Sequence, residues 1–383
     1  MATQVLADLG ADVVKIEGPE GDMMRANGVS QRVGMSSIYL ALNRNKRSVV
    51  LDLKDRAGAD ALRRLIAGAD VLVHNMRVTA IERLGFGHEA VARINPRIVY
   101  CVATGFGQDG PHRDKPAFDD IIQAACGLVS LNTQEGCEPA YVPSVLADKT
   151  TGLALANAVL AALLHRERNG TGQCVEVPML ETMSAFVLAE HLGGLTFEGS
   201  TTGAGYARLL KGGRRPVRTK DGWLCALPYT DRHWKAFFRA VGREELGDAL
   251  RIDDKAGRNA NIRKLYGVLA ELIPQRTTSE WMALFEELDI PATPIYTLDE
   301  LPEHPHLKAV GLLETRQHPT EGPIREIRPP ARFSATPLAL RRHAPSLGEH
   351  TVEVLLEAGF TSAEAAVFQE AAGRLDPEQR SAT

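Results

Sequence analysis

Short apolar runs alternate with helix-like segments along the first half of this chain. Val13–Glu17, Ser48–Leu53, Val71–Asn75 and Arg97–Ala103 are rich in Val, Ile and Leu, a composition that favours strands. Segments with helical periodicity separate them, among them Asp55–Ala67. Because parallel strands need helical crossovers, the alternation predicts βαβ units. The fold class is therefore α/β, with a mostly parallel sheet that helices cover on both faces.

The second half of the chain predicts a further unit. An Ala- and Leu-rich helix is expected over Asp148–Arg168. Beyond Gly199, a stretch rich in Gly, Arg and Pro is typical of a linker. The strand and helix signals after it are Trp223–Leu227, Asp231–Val241, Asn259–Ile273 and Thr278–Leu288. We predict a large domain of residues 1–200 plus 330–383, a linker or loop of 201–220, and a small α+β domain with a return linker over 221–329.

Composition excludes several classes of protein. The net charge of −4 does not indicate a nucleic-acid partner, which favours a basic surface. Five cysteines, an odd number without a C-x-x-C pair, argue against disulfides and zinc and for a reducing, cytoplasmic compartment. The longest apolar stretch, Gly152–Leu164, is shorter than the ~20 residues that a membrane helix needs. We therefore expect no membrane association and no metal.

Asp148 is the most informative acidic residue, because it stands at the predicted start of the long helix. One interpretation is an N-cap, in which the carboxylate accepts hydrogen bonds from free backbone N–H groups. The other is a nucleophile that the same helix terminus keeps ionised. The residues alone leave both interpretations open.

Basic residues follow the predicted strands. Lys54 comes after one strand, and Arg77 and Arg83 come after the next. Each alone is more typical of a solvated surface charge. Together they fall near the ends of parallel strands, where α/β sheets bind ligands, and they suit a phosphorylated cofactor. A P-loop is absent, and Gly105-Phe-Gly107 lacks the third glycine of a dinucleotide site.

Several longer motifs occur in order along the chain. They are Leu9-Gly-Ala-Asp-Val-Val-Lys-Ile-Glu17, Leu42-Asn-Arg-Asn-Lys-Arg-Ser-Val-Val-Leu-Asp-Leu-Lys54, Ile94-Asn-Pro-Arg-Ile-Val-Tyr100, Gly105-Phe-Gly-Gln-Asp-Gly-Pro111, Ala147-Asp148 with the Gly152 helix, Arg332-Phe-Ser-Ala-Thr-Pro337 and Leu347-Gly-Glu-His350. With them the chain resembles the class III CoA-transferases of the CaiB/BaiF type, the family of formyl-CoA transferase and carnitine CoA-transferase. The resemblance runs over nearly the whole chain.

The resemblance implies a Rossmann-like large domain, a smaller domain and an interlocked homodimer. It implies that Asp148 accepts the acyl group of an acyl-CoA, through aspartyl anhydride and aspartyl-CoA thioester intermediates. Coenzyme A enters as a substrate, and no permanently bound cofactor is implied. The positions that match CoA contacts are Leu51, Asp52, Leu53, Lys54, Asn75, Met76, Arg77, Arg83, Pro116, Ala117, Phe118 and Asp119.

The chain departs from the family pattern in three places. The family's first strand and loop would precede Met1, and we expect an upstream in-frame segment to encode them. The racemase branch of the family carries a His where this chain has Phe118, which disfavours two-base racemisation. Gly212-Gly213 is shorter than the three-glycine loop of formyl-CoA transferase, so formyl-CoA specificity does not follow.

Three hypotheses of function follow. The first is CoA transfer between an acyl-CoA and a free carboxylic acid. The second is a CoA-ester racemase or isomerase on the same fold. The third is an inactive acyl-CoA binding relic. The sequence names neither the acyl donor nor the acceptor acid.

Overall fold

The strands of the first half of the chain pair in parallel. Val13–Glu17 (β1) pairs with Lys46–Val50 (β2). Val71–His74 (β3) pairs with Val99–Thr104 (β4), and β4 pairs with Gln173–Pro178 (β5). At least one helix lies between each strand and the next, as parallel pairing requires. The predicted α/β fold with parallel strands is confirmed.

The computed structural model describes residues 1–133 and 138–373. They form two compact units: Met1–Val187 together with the chain from His306 onward, and Leu188–Pro305. The predicted domain limits near residues 200, 220 and 330 stay predictions. Within the described ranges, no helix combines the length and the apolar character that crossing a membrane requires.

Helices precede, connect and follow the parallel strands of the first unit. In chain order they are α1 Ala2–Asp8, α2 Ser37–Asn43, α3 Arg56–Gly68, α4 Val78–Arg83, α5 His88–Ile94, α6 Asp119–Ala125, α7 Leu128–Asn132, α8 Leu146–Asn169 and α9 Met179–His191. Helix α3 is strongly amphipathic, and it buries Ala61, Leu62 and Ile66 against the strands.

The core of the first unit fixes the ends of its strands. Leu51, Ile98 and Tyr100 are at most 4% exposed. They belong to one apolar cluster with Leu62 and Ile66 of α3. Burying side chains of this size stabilises the fold by roughly 1.5–3 kcal/mol each. Because Leu51 is anchored here, the chain leaves β2 at a defined point of the surface.

The second unit, Leu188–Pro305, has its own sheet and core. Its elements are α10 Ala207–Leu210, β6 Val217–Arg218, β7 Trp223–Ala226, α11 Asp231–Ala240, α12 Glu245–Ala249, α13 Lys255–Ala260, α14 Ile262–Leu272, α15 Thr278–Glu287 and β8 Ala292–Pro294. The strands pair antiparallel in the order β6-β7-β8. Trp234, Phe237 and Phe285 are fully buried beneath them.

The chain returns to the first unit after His306. Its elements there are α16 Pro305–Ala309, the antiparallel hairpin of β9 Leu313–His318 and β10 Gly322–Ile327, α17 Thr351–Glu357 and α18 Ser362–Gly373. The start of α17 is tied to β2, because the N–H of Val50 donates to Thr351 Oγ1 over 3.1 Å. The main-chain N–H of His350 donates to the carbonyl of Ser48 over 3.0 Å.

Two elements of the chain differ clearly from prediction. β2 begins at Lys46 rather than Ser48 and ends at Val50. Charged residues obscured its start, because Lys46 and Arg47 are only 5% exposed within the strand. The helix expected over Asn259–Ile273 is interrupted at Asn261, which ends α13 and precedes α14.

Candidate active site

The long helix α8 begins before Asp148. Its first residue is Leu146, its N-cap residue is Val145, and Asp148 lies within the first turn. Helical bonding has already begun there, since the N–H of Lys149 donates to the carbonyl of Val145 over 3.1 Å. The interpretation of Asp148 as the N-cap is therefore wrong. The predicted helix itself is confirmed, and it starts two residues earlier than expected.

The carboxylate that caps this helix belongs to Asp119, in the first turn of α6. Its Oδ1 accepts a hydrogen bond of 3.0 Å from the main-chain N–H of Asp148. Such a bond satisfies one of the four N–H groups that a helix start leaves free. Asp119 is 6% exposed, so the cap is a buried one. The capping role that the sequence suggested for Asp148 thus falls to a residue on another helix.

Gln123 holds Asp119 in place. Its Nε2 donates to Asp119 Oδ2 over 2.6 Å and to the carbonyl of Ser144 over 3.1 Å. Its Oε1 accepts the N–H of Val142 over 3.0 Å. Gln123 is fully buried one turn along α6 from Asp119. One amide side chain therefore joins the capping carboxylate to the loop that enters α8.

The Asp148 carboxylate itself has no hydrogen-bond partner among the described residues. Its side chain is exposed on this chain. The surrounding protein nevertheless removes part of its water, which raises the pKa of the carboxyl, and the negative charge of Asp119 raises it further. The positive charge of the Met1 amino group lowers the pKa of Asp148, and the charge of Asp120 raises it by a smaller amount. Asp148 is thus an accessible carboxylate that is more basic than an ordinary Asp.

An apolar cluster supports the start of α8 from below. Ala147, next to Asp148, is fully buried. It packs with Phe106, Ile122 and Met183 in one cluster. This packing leaves the helix start little freedom to shift, because close-packed interiors resist displacement.

The loop after β4 is held by two glutamates. The N–H of Gly107 donates to Glu181 Oε1 over 2.9 Å, and the N–H of Gln108 donates to Glu176 Oε1 over 3.0 Å. A Cβ at Gly107 would lie 2.5 Å from Glu181 Oε1, and a Cβ at Gly105 would lie 2.4 Å from the Cβ of Ala117. Glycine at both positions therefore permits the close approach that shapes the loop before α6.

The positions matched to CoA contacts follow three strand ends. The residues 51–54 follow β2, the residues 75–77 follow β3, and the residues 116–119 close the loop after β4. Lys54 and Arg77 are exposed cations that form no ion pair among the described residues. Lys54, Arg77 and Arg83 also form no ion pair or hydrogen bond with Asp148 within the described part of the chain. Among the twelve positions matched to CoA contacts, Asp119 is the one that is hydrogen-bonded to Asp148 within the described residues.

Other members of the set differ in exposure. The side chain of Leu51 is buried, so any contact it makes with CoA would come from its main chain. Phe118 is 71% exposed. Arg83 Nε donates to the carbonyl of Thr79 over 3.1 Å, which directs it along α4. All twelve assignments stay predictions.

Two residues near the start of α8, Gln123 and Met1, escaped the sequence interpretation. Gln123 follows Asp119 by four positions, the spacing that places two side chains on one helix face, and this was the available signal. A Cβ at Gly152 would lie 2.8 Å from the Cβ of Met1, so α1 packs tightly there. Lys46 is buried and donates to Asn43 Oδ1 over 3.0 Å. Desolvation lowers the pKa of Lys46 to about 7.

Comparison with known proteins gives a consistent result. The model of CoA-transferase family III matches residues 1–351. The succinate–glutarate CoA-transferase of Agrobacterium fabrum is 32% identical, over 93% of this chain and 91% of the relative. A formyl-CoA:oxalate CoA-transferase of Escherichia coli is 31% identical, over 96% of this chain and 94% of the relative. A crystal structure of a CaiB/BaiF family protein from Brucella suis has a TM-score of 0.78 at 30% identity, covering 93% of this chain and 94% of that one.

Proposed function

The chain belongs to CoA-transferase family III, and from that premise we propose that Asp148 carries the acyl group while CoA passes to a free carboxylic acid. The enzyme is a CoA-transferase whose substrates are CoA thioesters. The observation that carries the proposal is the free, accessible carboxylate of Asp148 at the start of α8, next to a separate capping carboxylate.

The proposed reaction has four displacements. Asp148 attacks the thioester carbonyl of the acyl-CoA, and the C–S bond breaks to give an acyl-aspartyl anhydride and CoA thiolate. The thiolate attacks the aspartyl carbonyl and expels the donor acid, leaving an aspartyl-CoA thioester. The acceptor carboxylate attacks this thioester and releases the thiolate, giving a second anhydride. The thiolate then attacks the acceptor's carbonyl and regenerates the Asp148 carboxylate.

The electrostatics of the site support this role. A covalent nucleophile must be ionised and must also be reactive. The raised pKa of Asp148 makes its carboxylate more basic, whereas paired carboxylates are held at lower basicity. The first turn of a helix stabilises negative charge, so the group can remain ionised near neutral pH.

The CoA moiety is proposed to lie along the three strand ends. Lys54 and Arg77 are exposed and carry no ion pair among the described residues, which suits the phosphates of coenzyme A. Binding energy from the nucleotide end would help to hold the thioester at Asp148. The names of the relatives suggest the dicarboxylic acids succinate, glutarate and oxalate, together with formyl-CoA, as first candidates to test.

A second copy of this chain is the proposed partner. Helix α8 is apolar on more than one face: Leu155 and Val159 are buried, while Leu153, Leu160 and Leu164 are 49%, 44% and 53% exposed. A helix that is hydrophobic all round is normally covered on all sides. We expect Leu160→Asp to lower the dimer fraction in sedimentation equilibrium, whereas Leu298→Asp, at an 85% exposed position, leaves it unchanged.

A panel of CoA esters and free acids tests the proposed reaction. CoA exchange between carboxylates supports it. Loss of α-stereochemistry without an acceptor acid would instead support a racemase, although the apolar Phe118 offers no base for that step. CoA binding with neither reaction would indicate an inactive relic.

A further inference from the structure

The cap of α8 comes from a distant part of the chain. Helix caps are usually local, formed by a side chain within a few residues of the helix start. Here Asp119 reaches the N–H of Asp148 from 29 positions earlier in sequence. The bond ends on the residue that the proposed function makes the nucleophile. Asp119 therefore caps the helix, and the carboxylate of Asp148 is left for nucleophilic attack.

We propose that Asp119 is a positioning residue, which fixes the main chain of Asp148 and leaves the Asp148 carboxylate free for the reaction. This inference rests on the proposed function. Asp119 would not touch the reacting atoms, because one oxygen is bonded to the Asp148 N–H and the other to Gln123. It acts through the backbone of its neighbour, and misplacing a reacting group by ~1 Å can cost about a hundredfold in rate.

Gln123 fixes the orientation of Asp119. Both carboxylate oxygens of Asp119 are engaged, and Gln123 in turn is bonded to Val142 and Ser144. The positioning unit is therefore Asp119 with Gln123, buried beneath the start of α8. It connects helix α6, the entering loop and the residue Asp148 in one hydrogen-bonded network.

The charge of Asp119 adds a second effect. The charged groups that face Asp148 are Asp119 and Asp120 of α6 and the amino group of Met1. Like charge raises the pKa of Asp148, and Asp119 is the larger of the two acidic contributions. Removing that charge should lower the pKa of Asp148. The acid limb of a pH–rate profile would then move to lower pH.

Three variants separate this role from alternatives. Asp119→Ala removes the acceptor, and Asp119→Asn keeps an acceptor but removes the charge. Asp120→Asn removes the smaller of the two acidic charges that face Asp148 and leaves the acceptor for the Asp148 N–H in place. We expect Asp119→Ala to lower kcat roughly tenfold to a hundredfold, with KM for the acyl-CoA changed less than about threefold. Asp119→Asn should lose less kcat and shift the acid limb downward. Asp120→Asn should keep kcat within about twofold of wild type.

The split between kcat and KM decides the result. A rise in KM for the acyl-CoA at unchanged kcat would overturn the proposal and support Asp119 as a CoA contact. The proposal would also be overturned if the Asp119 variants and Asp120→Asn showed the same kcat and the same KM for the acyl-CoA. Circular dichroism and thermal melts check folding, and Asp119→Asn remains the informative variant if Asp119→Ala does not fold.

An activity-independent readout keeps the two proposals apart. The apparent pKa of Asp148 can be followed by NMR with ¹³C-labelled aspartate, the signal being assigned through its loss in Asp148→Asn. A lower pKa in Asp119→Asn than in wild type supports the electrostatic contact of Asp119 with Asp148, even if the CoA panel shows no transfer. An unchanged pKa in an enzyme that does transfer CoA would overturn the inference and leave the proposed function standing.

Discussion

Helices α8 and α15 satisfy the free backbone N–H groups of their first turns in different ways. In α15, Thr277 accepts the N–H of Glu280 over 3.3 Å, and Glu280 in return accepts the N–H of Thr277 over 2.7 Å. This capping box is closed within four residues. In α8, the acidic residue of the first turn accepts no such bond, and Asp119 supplies the cap from another helix.

The difference has an electrostatic consequence. Hydrogen bonds to Thr277 lower the pKa of Glu280. Desolvation, and then the charge of Asp119, raise the pKa of Asp148. The carboxylate of Glu280 is hydrogen-bonded to the start of its own helix, which stabilises its ionised form. The carboxylate of Asp148 is not bonded in this way, and it remains more basic and accessible. The first arrangement serves the fold, and the second is what a nucleophile requires.

The largest expected effect concerns activity. Asp148→Asn should lower the rate of CoA transfer at least about a thousandfold, the scale on which loss of a covalent nucleophile acts. Glu280→Gln, at the other helix start, should leave the rate within about twofold of wild type. Initial rates with an acyl-CoA and a free acid measure both. A fully active Asp148→Asn enzyme would contradict the role of Asp148 as the nucleophile.

The pH dependence of the reaction should reflect the raised pKa. Because attack requires the ionised form, kcat/KM should fall as the pH drops through the pKa of Asp148. This acid limb should lie above the ordinary pKa of an Asp carboxyl, since desolvation and the charges of Asp119 and Asp120 raise the pKa of Asp148. A limb at or below the ordinary value would contradict the electrostatic account. Profiles should be taken with saturating and limiting acyl-CoA.

The capping box should show the opposite balance of effects. Thr277→Ala removes a cap whose loss typically costs ~1 kcal/mol of stability. We expect a lower melting temperature and higher susceptibility to urea, with kcat and KM close to wild type. Thr277→Ser, which keeps the capping hydroxyl, provides the control at the same position. Unchanged stability of Thr277→Ala would show that the box contributes little.

The smallest expected effect is on the stability of Asp148→Asn. A carboxyl whose pKa is raised on folding contributes stability at low pH that is lost as the pH rises through the folded-state pKa. Above that pH the ionised Asp148 is therefore unfavourable for the fold. Asp148→Asn should melt at the same or a slightly higher temperature at pH 7, and a clear decrease would contradict this sign. Paired melts at pH 7 and pH 4 check it, because the difference should shrink at the lower pH.

Local patterns predicted much of the fold. The strand of Val13–Glu17 and the helices near Asp55 and Asp148 follow from periodicity and composition, and the parallel pairing follows from their alternation. The start of β2 was misplaced, because the charge of Arg47 is buried against Glu353 and Glu357, partners that only the folded chain provides.

The candidate site was predicted in part. Asp148 was identified through the resemblance, and its capping alternative was wrong for a reason that sequence does not display. The competing carboxylate, Asp119, reaches α8 across a tertiary contact between α6 and α8, and Gln123 stabilises that contact. Long-range hydrogen bonds of this kind are set by packing rather than by local propensity.

Trapping the covalent intermediate tests the central claim most directly. The enzyme is incubated with an acyl-CoA and hydroxylamine, digested with chymotrypsin, which cleaves between Asp120 and Asp148, and analysed by mass spectrometry. An aspartyl anhydride or thioester at Asp148 should yield a hydroxamate on the peptide that carries Asp148, and none on the peptide with Asp119 and Asp120. CoA transfer without any modification of Asp148, or a hydroxamate on another carboxylate instead, would contradict the account.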